Sequence, residues 1–233
     1  MVRATLNRFA ARLFRVHMIA DAREKLCAAG INCPLGTAQR KRLDIIRTRG
    51  ILFIHIPKNA GISISHSLYG GQVGHQSIRY YQAVAPDIVK RLPRFAVVRD
   101  PVERFLSAFR FAKTGGTRDQ PMMGLFAERY MAMRDVDELL DHLEASPSPY
   151  HFDYVFRPQS WFITDRRGRI KVDQLIRMDD MTAVESLISR HRGRPLPHMN
   201  RSVAANIGLD AHQVTRIRRL YRNDVRLYER LRS

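Results

Sequence analysis

The sequence predicts an α/β fold in a single domain built on parallel strands. Three observations lead there. Residues 51–56, ILFIHI, are almost all apolar and rich in β-branched types, the pattern of a strand buried on both faces of a parallel sheet. Residues 94–99, RFAVVR, repeat that pattern, and each run leads through a short turn into residues at helical spacing. The chain has 233 residues, 45% of them hydrophobic, which is enough for one sizeable core and too few for two comfortable ones.

The first strand stops at Pro57, which has no N–H to give to a ladder. Lys58-Asn59-Ala60-Gly61 is a turn of small residues carrying one cation. Residues 62–68 then resume at helical spacing, with Ile62, Ser65, His66 and Tyr69 three or four apart. A buried strand, a lysine-bearing turn and a helix start together form a place for an anion. The first helical N–H groups have no partner inside the helix, and the helix dipole favours negative charge there. The usual nucleotide-triphosphate loop is excluded, because it needs a glycine-rich run ending in Gly-Lys-Ser/Thr, and here the lysine precedes the glycine.

The second unit has a clearer helix start. Asp100 can cap, Pro101 suits the first helical position and Glu103 can reach back as in a capping box. These three read as structural. Phe105, Leu106, Phe109 and Ala112 form the apolar face, and Arg104 and Ser107 lie one turn apart, able to share an exposed side.

Two stretches resemble one known family. HIPKNAGISIS resembles the 5′-phosphosulfate-binding loop of sulfotransferases that use 3′-phosphoadenosine 5′-phosphosulfate (PAPS). VVRDPVERFLSAFR resembles their 3′-phosphate-binding segment, Arg-Asp/Glu-Pro-x-x-Arg-x-x-Ser-x-Tyr/Phe. The nearest relatives by motif are carbohydrate enzymes of the heparan sulfate 2-O-sulfotransferase and chondroitin sulfotransferase type. The resemblance covers roughly residues 50–232. It implies a P-loop-like sulfotransferase fold, a central parallel sheet flanked by helices, with the site outside the carboxyl ends of the strands. It implies transfer of a sulfuryl group from PAPS to a hydroxyl, leaving 3′-phosphoadenosine 5′-phosphate (PAP), with a carbohydrate or glycolipid acceptor.

Carried over residue by residue, Lys58, Asn59, Ala60, Gly61, Ile62 and Ser63 hold the 5′-phosphosulfate. Lys58 also neutralises charge growing on the leaving oxygen. The family usually has threonine at Asn59 and Ile62. Losing the hydroxyl at Ile62 shifts binding onto the main chain and Ser63. Arg99 and Ser107 hold the 3′-phosphate, for which a guanidinium fork and a hydroxyl are suited. His75, in GHQSIRYYQ, matches the family's general base, and an unperturbed imidazole pKa of about 6.5 suits proton removal near neutral pH. His66 is its rival, on the helix after the loop, and His55 reads as a core or supporting residue within the strand. The reaction implied needs no metal.

Later segments are less specific. Residues 122–134 and 136–144 read as helices, the latter with an acidic outer face of Asp137, Glu138 and Asp141. YVFRPQSWF resembles a family segment, and its Arg157, Gln159 and Trp161 can line an acceptor cleft. A third strand is expected over 172–177 and a helix over 181–190. Arg194, Arg201 and Ser202, in a basic loop that in relatives closes over the cofactor, are further phosphate or sulfate contacts. A long amphipathic helix is expected over 209–231, with most of its arginines on a solvated face.

The formal net charge is +18, from 40 Lys+Arg against 22 Asp+Glu. Such a field draws anions: nucleotide cofactors, acidic glycans, nucleic acid or acidic lipid. Cys27 and Cys33 are too few for a disulfide framework or a zinc pattern, and a reducing compartment follows as the simpler assumption. No apolar run reaches the roughly 20 residues of a membrane span; animal Golgi members of the resembling family carry a membrane anchor, so the resemblance implies a bacterial-type soluble enzyme in the cytoplasm. Residues 1–25 are basic and amphipathic, with Leu6, Phe9, Leu13, Phe14 and Met18 at helical spacing. They read as a packed surface helix, a helix lying on acidic membrane, or a targeting presequence. Residues 30–50 read as a linker into a domain that starts at residue 50. Two other readings stay open: a small-molecule kinase on a related fold, and a basic protein that binds nucleic acid or other anions without catalysis. No nucleic-acid partner is expected from the motifs.

Overall fold

The structure, a computed structural model, describes residues 19–117, 120–122, 124–196 and 208–232. In chain order the elements are α1 (Ile19–Ala28), α2 (Thr37–Arg49), β1 (Leu52–Ile54), α3 (Gly61–Tyr69), α4 (Ile78–Val84), α5 (Pro86–Arg91) and β2 (Arg94–Val98). Then come α6 (Pro101–Lys113), β3 (Gly116–Thr117), β4 (Gln120–Pro121), α7 (Gly124–Ala132), α8 (Val136–Ala145), a 3-10 turn at Tyr154–Phe156 and α9 (Gln159–Ile163). The chain ends with β5 (Gln174–Arg177), α10 (Met181–Arg190), α11 (Ala211–Leu220) and α12 (Arg222–Arg230). The described residues form two compact units. One holds those up to Val98 and 159–196; the other holds 99–158 and 208–232.

The first unit is built on a parallel three-stranded sheet in the order β1-β2-β5. Phe53 faces Phe95 in the ladder, and Val97 faces Ile176. The mixed α/β class and the parallel sheet flanked by helices are as the sequence predicts. All six residues of the 51–56 run are buried, but only three belong to the ladder. Beyond Ile54 the chain turns aside, and the His55 carbonyl accepts from the His75 ring instead of a strand neighbour.

The stretch expected as a linker, 30–50, is helical from Thr37 to Arg49. Leu43 and Ile46 are buried on one side, and Gly50 ends the helix in the left-handed region at φ 69°, its N–H returning to the Ile46 and Arg47 carbonyls. One turn of apolar anchorage therefore overrides a polar, basic sequence. The described end of the N-terminal segment, α1, packs on α4. There the buried Glu24 accepts from Ser77, the residue that caps α4. Leu6, Phe9, Leu13, Phe14 and Met18 lie outside the described residues.

In the second unit, Asp100 caps α6, accepting from the N–H groups of Val102 and Glu103 at 2.9 and 3.1 Å. Arg104, expected to share an exposed side with Ser107, is buried instead. Its Nη2 donates to the Val155 carbonyl at 3.1 Å; burial lowers its pKa from the usual guanidinium value, and the buried Asp224 works against that. Arg216, expected in solvent, reaches the acidic face of α8. It pairs with Asp137, Asp141 and Glu144 and keeps only 12% side-chain exposure. Three carboxylates from one helix outweigh the hydration of one guanidinium. The helix expected over 209–231 is two segments that meet at Tyr221, whose buried hydroxyl donates to the Phe156 carbonyl at 2.7 Å.

One buried side chain ties β1 to the helix it feeds. The Tyr69 hydroxyl donates to the Ile51 carbonyl and accepts from the Phe53 N–H, both at 2.9 Å. Tyr69→Phe leaves both main-chain groups buried and unpaired. It should cost about 1–3 kcal/mol in urea unfolding, with the slope of the transition unchanged.

Candidate active site

The turn after β1 is held in an uncommon conformation. Lys58 and Ala60 both lie in the left-handed region, at φ 69° and 60°, although neither is glycine. Each such residue costs roughly 1–2 kcal/mol, so something must hold the turn. Asn59 does. Its side chain is buried, and Nδ2 donates to the Val97 carbonyl at 2.8 Å and to Gln159 Oε1 at 2.7 Å. Both amide hydrogens are thereby used, so the Asn59 side chain offers an anion no donor. Its contribution to an anion cradle is limited to its main chain. Its Oδ1 has no hydrogen-bond partner among the described residues.

The turn delivers α3 with an open start. Ala60 occupies the capping position and supplies no side-chain bond. The first N–H groups of α3, on Gly61, Ile62 and Ser63, thus lack the usual cap, and they stand beside the half-exposed Lys58. Ser63 is half-buried, and Ile62 is exposed at 42%. Main-chain donors, one serine and one ammonium together suit a tetrahedral anion.

His75 is brought to the end of β1 by the main chain. Its Nδ1 lies 3.0 Å from the His55 carbonyl. A carbonyl only accepts, so Nδ1 carries the hydrogen and Nε2 carries the lone pair, the form a general base requires. His66, the rival, is exposed on α3. His55 is buried. Its Nδ1 donates to the Val73 carbonyl at 3.1 Å, its ring lies 4.0 Å from that of His75, and burial pushes its pKa down to about 4.

The second motif sits in the second unit. Arg99 directly follows β2 in the chain, and its Nε donates to Glu103 at 3.2 Å. Glu103 therefore does not make the return bond of a capping box; its carboxylate orients Arg99. Ser107 is half-buried on α6. Arg157 is buried, donating to the Pro149 carbonyl at 2.8 Å and lying over the Tyr150 ring. Gln159 is buried against Asn59. These two anchor backbone and loop, not a cleft. Trp161 is half-buried, with the Arg79 guanidinium 4.6 Å from its ring centre. Arg194 donates its N–H to the Ser67 carbonyl at 2.8 Å, and its side chain is exposed. Arg201 and Ser202 lie outside the described residues. No helix among the described residues is long and apolar enough to cross a membrane.

The fold is α/β, with a parallel sheet whose first strand feeds a lysine-bearing turn and a helix that starts without a side-chain cap. Residues 41–229 match the model of the family described as the sulfotransferase family. The chain belongs to the sulfotransferase family, whose members are transferases of the sulfuryl group. No curated protein matches it.

Two outcomes follow from the strain and the burial. Ala60→Gly removes the left-handed cost but adds freedom to the unfolded chain, and should raise unfolding free energy by a net 0.5–1 kcal/mol or so. The His55 ring takes up a proton near pH 6.5 when unfolded but only at about 4 when folded. Its contribution is therefore fully present above pH 6.5 and is lost as the pH falls towards 4, at about 1.36 kcal/mol per unit. Between pH 7 and 4.5, His55→Asn should lose about 2 kcal/mol less stability than the parent, read from urea midpoints at the two pH values.

Proposed function

We propose that the chain transfers a sulfuryl group from PAPS to a hydroxyl of a carbohydrate or glycolipid acceptor, with PAP as the product. The observation that carries this reading is the uncapped start of α3 beside Lys58, on a turn held rigidly enough to keep two left-handed residues in place. When bound, the donor supplies an activated sulfuryl group. The N–H groups of Gly61, Ile62 and Ser63 hold its 5′-phosphate end, together with the Ser63 hydroxyl. Lys58 neutralises the charge that develops on the departing phosphate oxygen. Arg99, oriented by Glu103, and Ser107 take the 3′-phosphate. Nε2 of His75 receives the acceptor proton, and the His55 carbonyl keeps the Nδ1 proton in place while it does so. Exposed Ile62 replaces a hydroxyl with an apolar branch, which leaves the main chain as the principal anion donor at that position. An excess of arginine favours an acidic acceptor.

A kinase reading finds no support at residue 59. A hydroxyl to hold magnesium would be needed directly after the lysine, and Asn59 is instead committed to Val97 and Gln159.

Calorimetry with PAP, adenosine 5′-monophosphate and ATP tests the proposal. PAP should bind at least tenfold tighter than either of the others, about 1.4 kcal/mol. Lys58→Ala should lower turnover by orders of magnitude, and His75→Ala should do so while leaving PAP affinity nearly intact. Equal binding of all three nucleotides removes the reading.

A further inference from the structure

We propose that His55 is a positioning residue that couples the anion-binding turn to His75. The inference rests on His75 as the base of the proposed reaction, but its geometry is independent of donor and acceptor. His55 is the residue after β1 and is 3% exposed. Three contacts leave it. Its Nδ1 donates to the Val73 carbonyl at 3.1 Å, which fixes the turn two residues before His75. Its own carbonyl accepts from His75 Nδ1 at 3.0 Å, and the two rings lie 4.0 Å apart at 50°. The opposite edge of its ring lies against Gly61, the first residue of α3. A Cβ at Gly61 would stand 1.9 Å from His55 Cδ2 and 2.1 Å from Nε2.

One rigid ring therefore touches the start of α3 on one side and the base on the other. The Phe53 ring lies 5.7 Å from it, centre to centre and nearly parallel, and the His55 ring sits in a close-packed interior. It does not take part as an acid or base itself, since burial keeps it neutral at neutral pH. Residue type matters at this position. Phenylalanine would fill the space but leave the Val73 carbonyl unpaired, and leucine would do neither job. Asparagine keeps a donor close to where Nδ1 stands. Gly61, in turn, is glycine because the ring occupies the place of its side chain.

The test is the tautomer of His75, read by long-range proton–nitrogen correlation in protein labelled with nitrogen-15 at histidine, at a pH where the imidazoles are neutral. His75→Gln assigns the signals. The parent should show His75 protonated at Nδ1. His55→Ala should lose that single form, giving exchange between tautomers, and His55→Asn should restore it. A histidine that only fills the core would leave the His75 tautomer unchanged in His55→Ala, because the carbonyl of residue 55 remains; that result overturns the proposal. Gly61→Ala probes the other side of the ring. It should disturb the His75 signals in the parent but not in the His55→Ala background, where the ring is gone. A disturbance of equal size in both backgrounds also overturns the coupling. Gly61→Ala should also weaken PAP about tenfold, some 1.4 kcal/mol. Failure of PAP to bind the parent would remove the sulfotransferase reaction, whereas the tautomer measurements would still decide the coupling.

Discussion

The amide of Asn59 is the interaction on which the candidate site depends. The chain passes from the end of β1 to the start of α3 over six residues, and two of them, Lys58 and Ala60, adopt a conformation that L-residues avoid. Local sequence offers no relief, because neither is glycine. The turn persists because the residue between them reaches into the first unit with two hydrogen bonds, one to the carbonyl of Val97 in the neighbouring strand and one to Gln159. Strain of this kind stays in place only where surrounding structure over-determines it. Ala60, at the start of α3, also brings no side-chain cap to the first N–H groups of that helix.

The same economy of contacts governs the histidines. The chain leaves the ladder at His55, two residues before Pro57, and the His55 carbonyl goes to His75. That single bond settles which ring nitrogen of His75 keeps a hydrogen. The buried ring of His55 is satisfied by Val73 and stays neutral, so the charge state of the site is left to groups nearer the surface. In the second unit the logic is similar. The Glu103 N–H takes part in the cap of α6 while its carboxylate orients Arg99, and Arg104 is withdrawn into the interior near Asp224. Two arginines five residues apart thus have opposite fates, one at the surface and one buried.

What could be read from the sequence follows physical lines. The strands at 51–56 and 94–99 were legible because runs of β-branched apolar residues have few other uses, and three of their four ends were misjudged by one or two residues. The cap at Asp100 was legible because a capping bond is local. The helix at Thr37–Arg49 was not, because its large apolar residues are only Leu43, Ile45 and Ile46, and the basic run masks them. Arg216 was read as solvated because nothing in its own helix shows that three acids of α8 stand opposite.

The sequence by itself determined the kind of site. A lysine in a small-residue turn between a buried strand and a helix reads as a place for an anion through backbone direction and charge, both set by near neighbours in the chain. The tertiary structure alone decided where the side chains of that site point. Asn59 turns inward because Val97 and Gln159, 38 and 100 residues away, receive its amide. His75 presents Nε2 because a carbonyl 20 residues earlier holds Nδ1. Residue type fixes what a side chain can donate or accept; only the fold fixes which partner is within 3 Å or so of it.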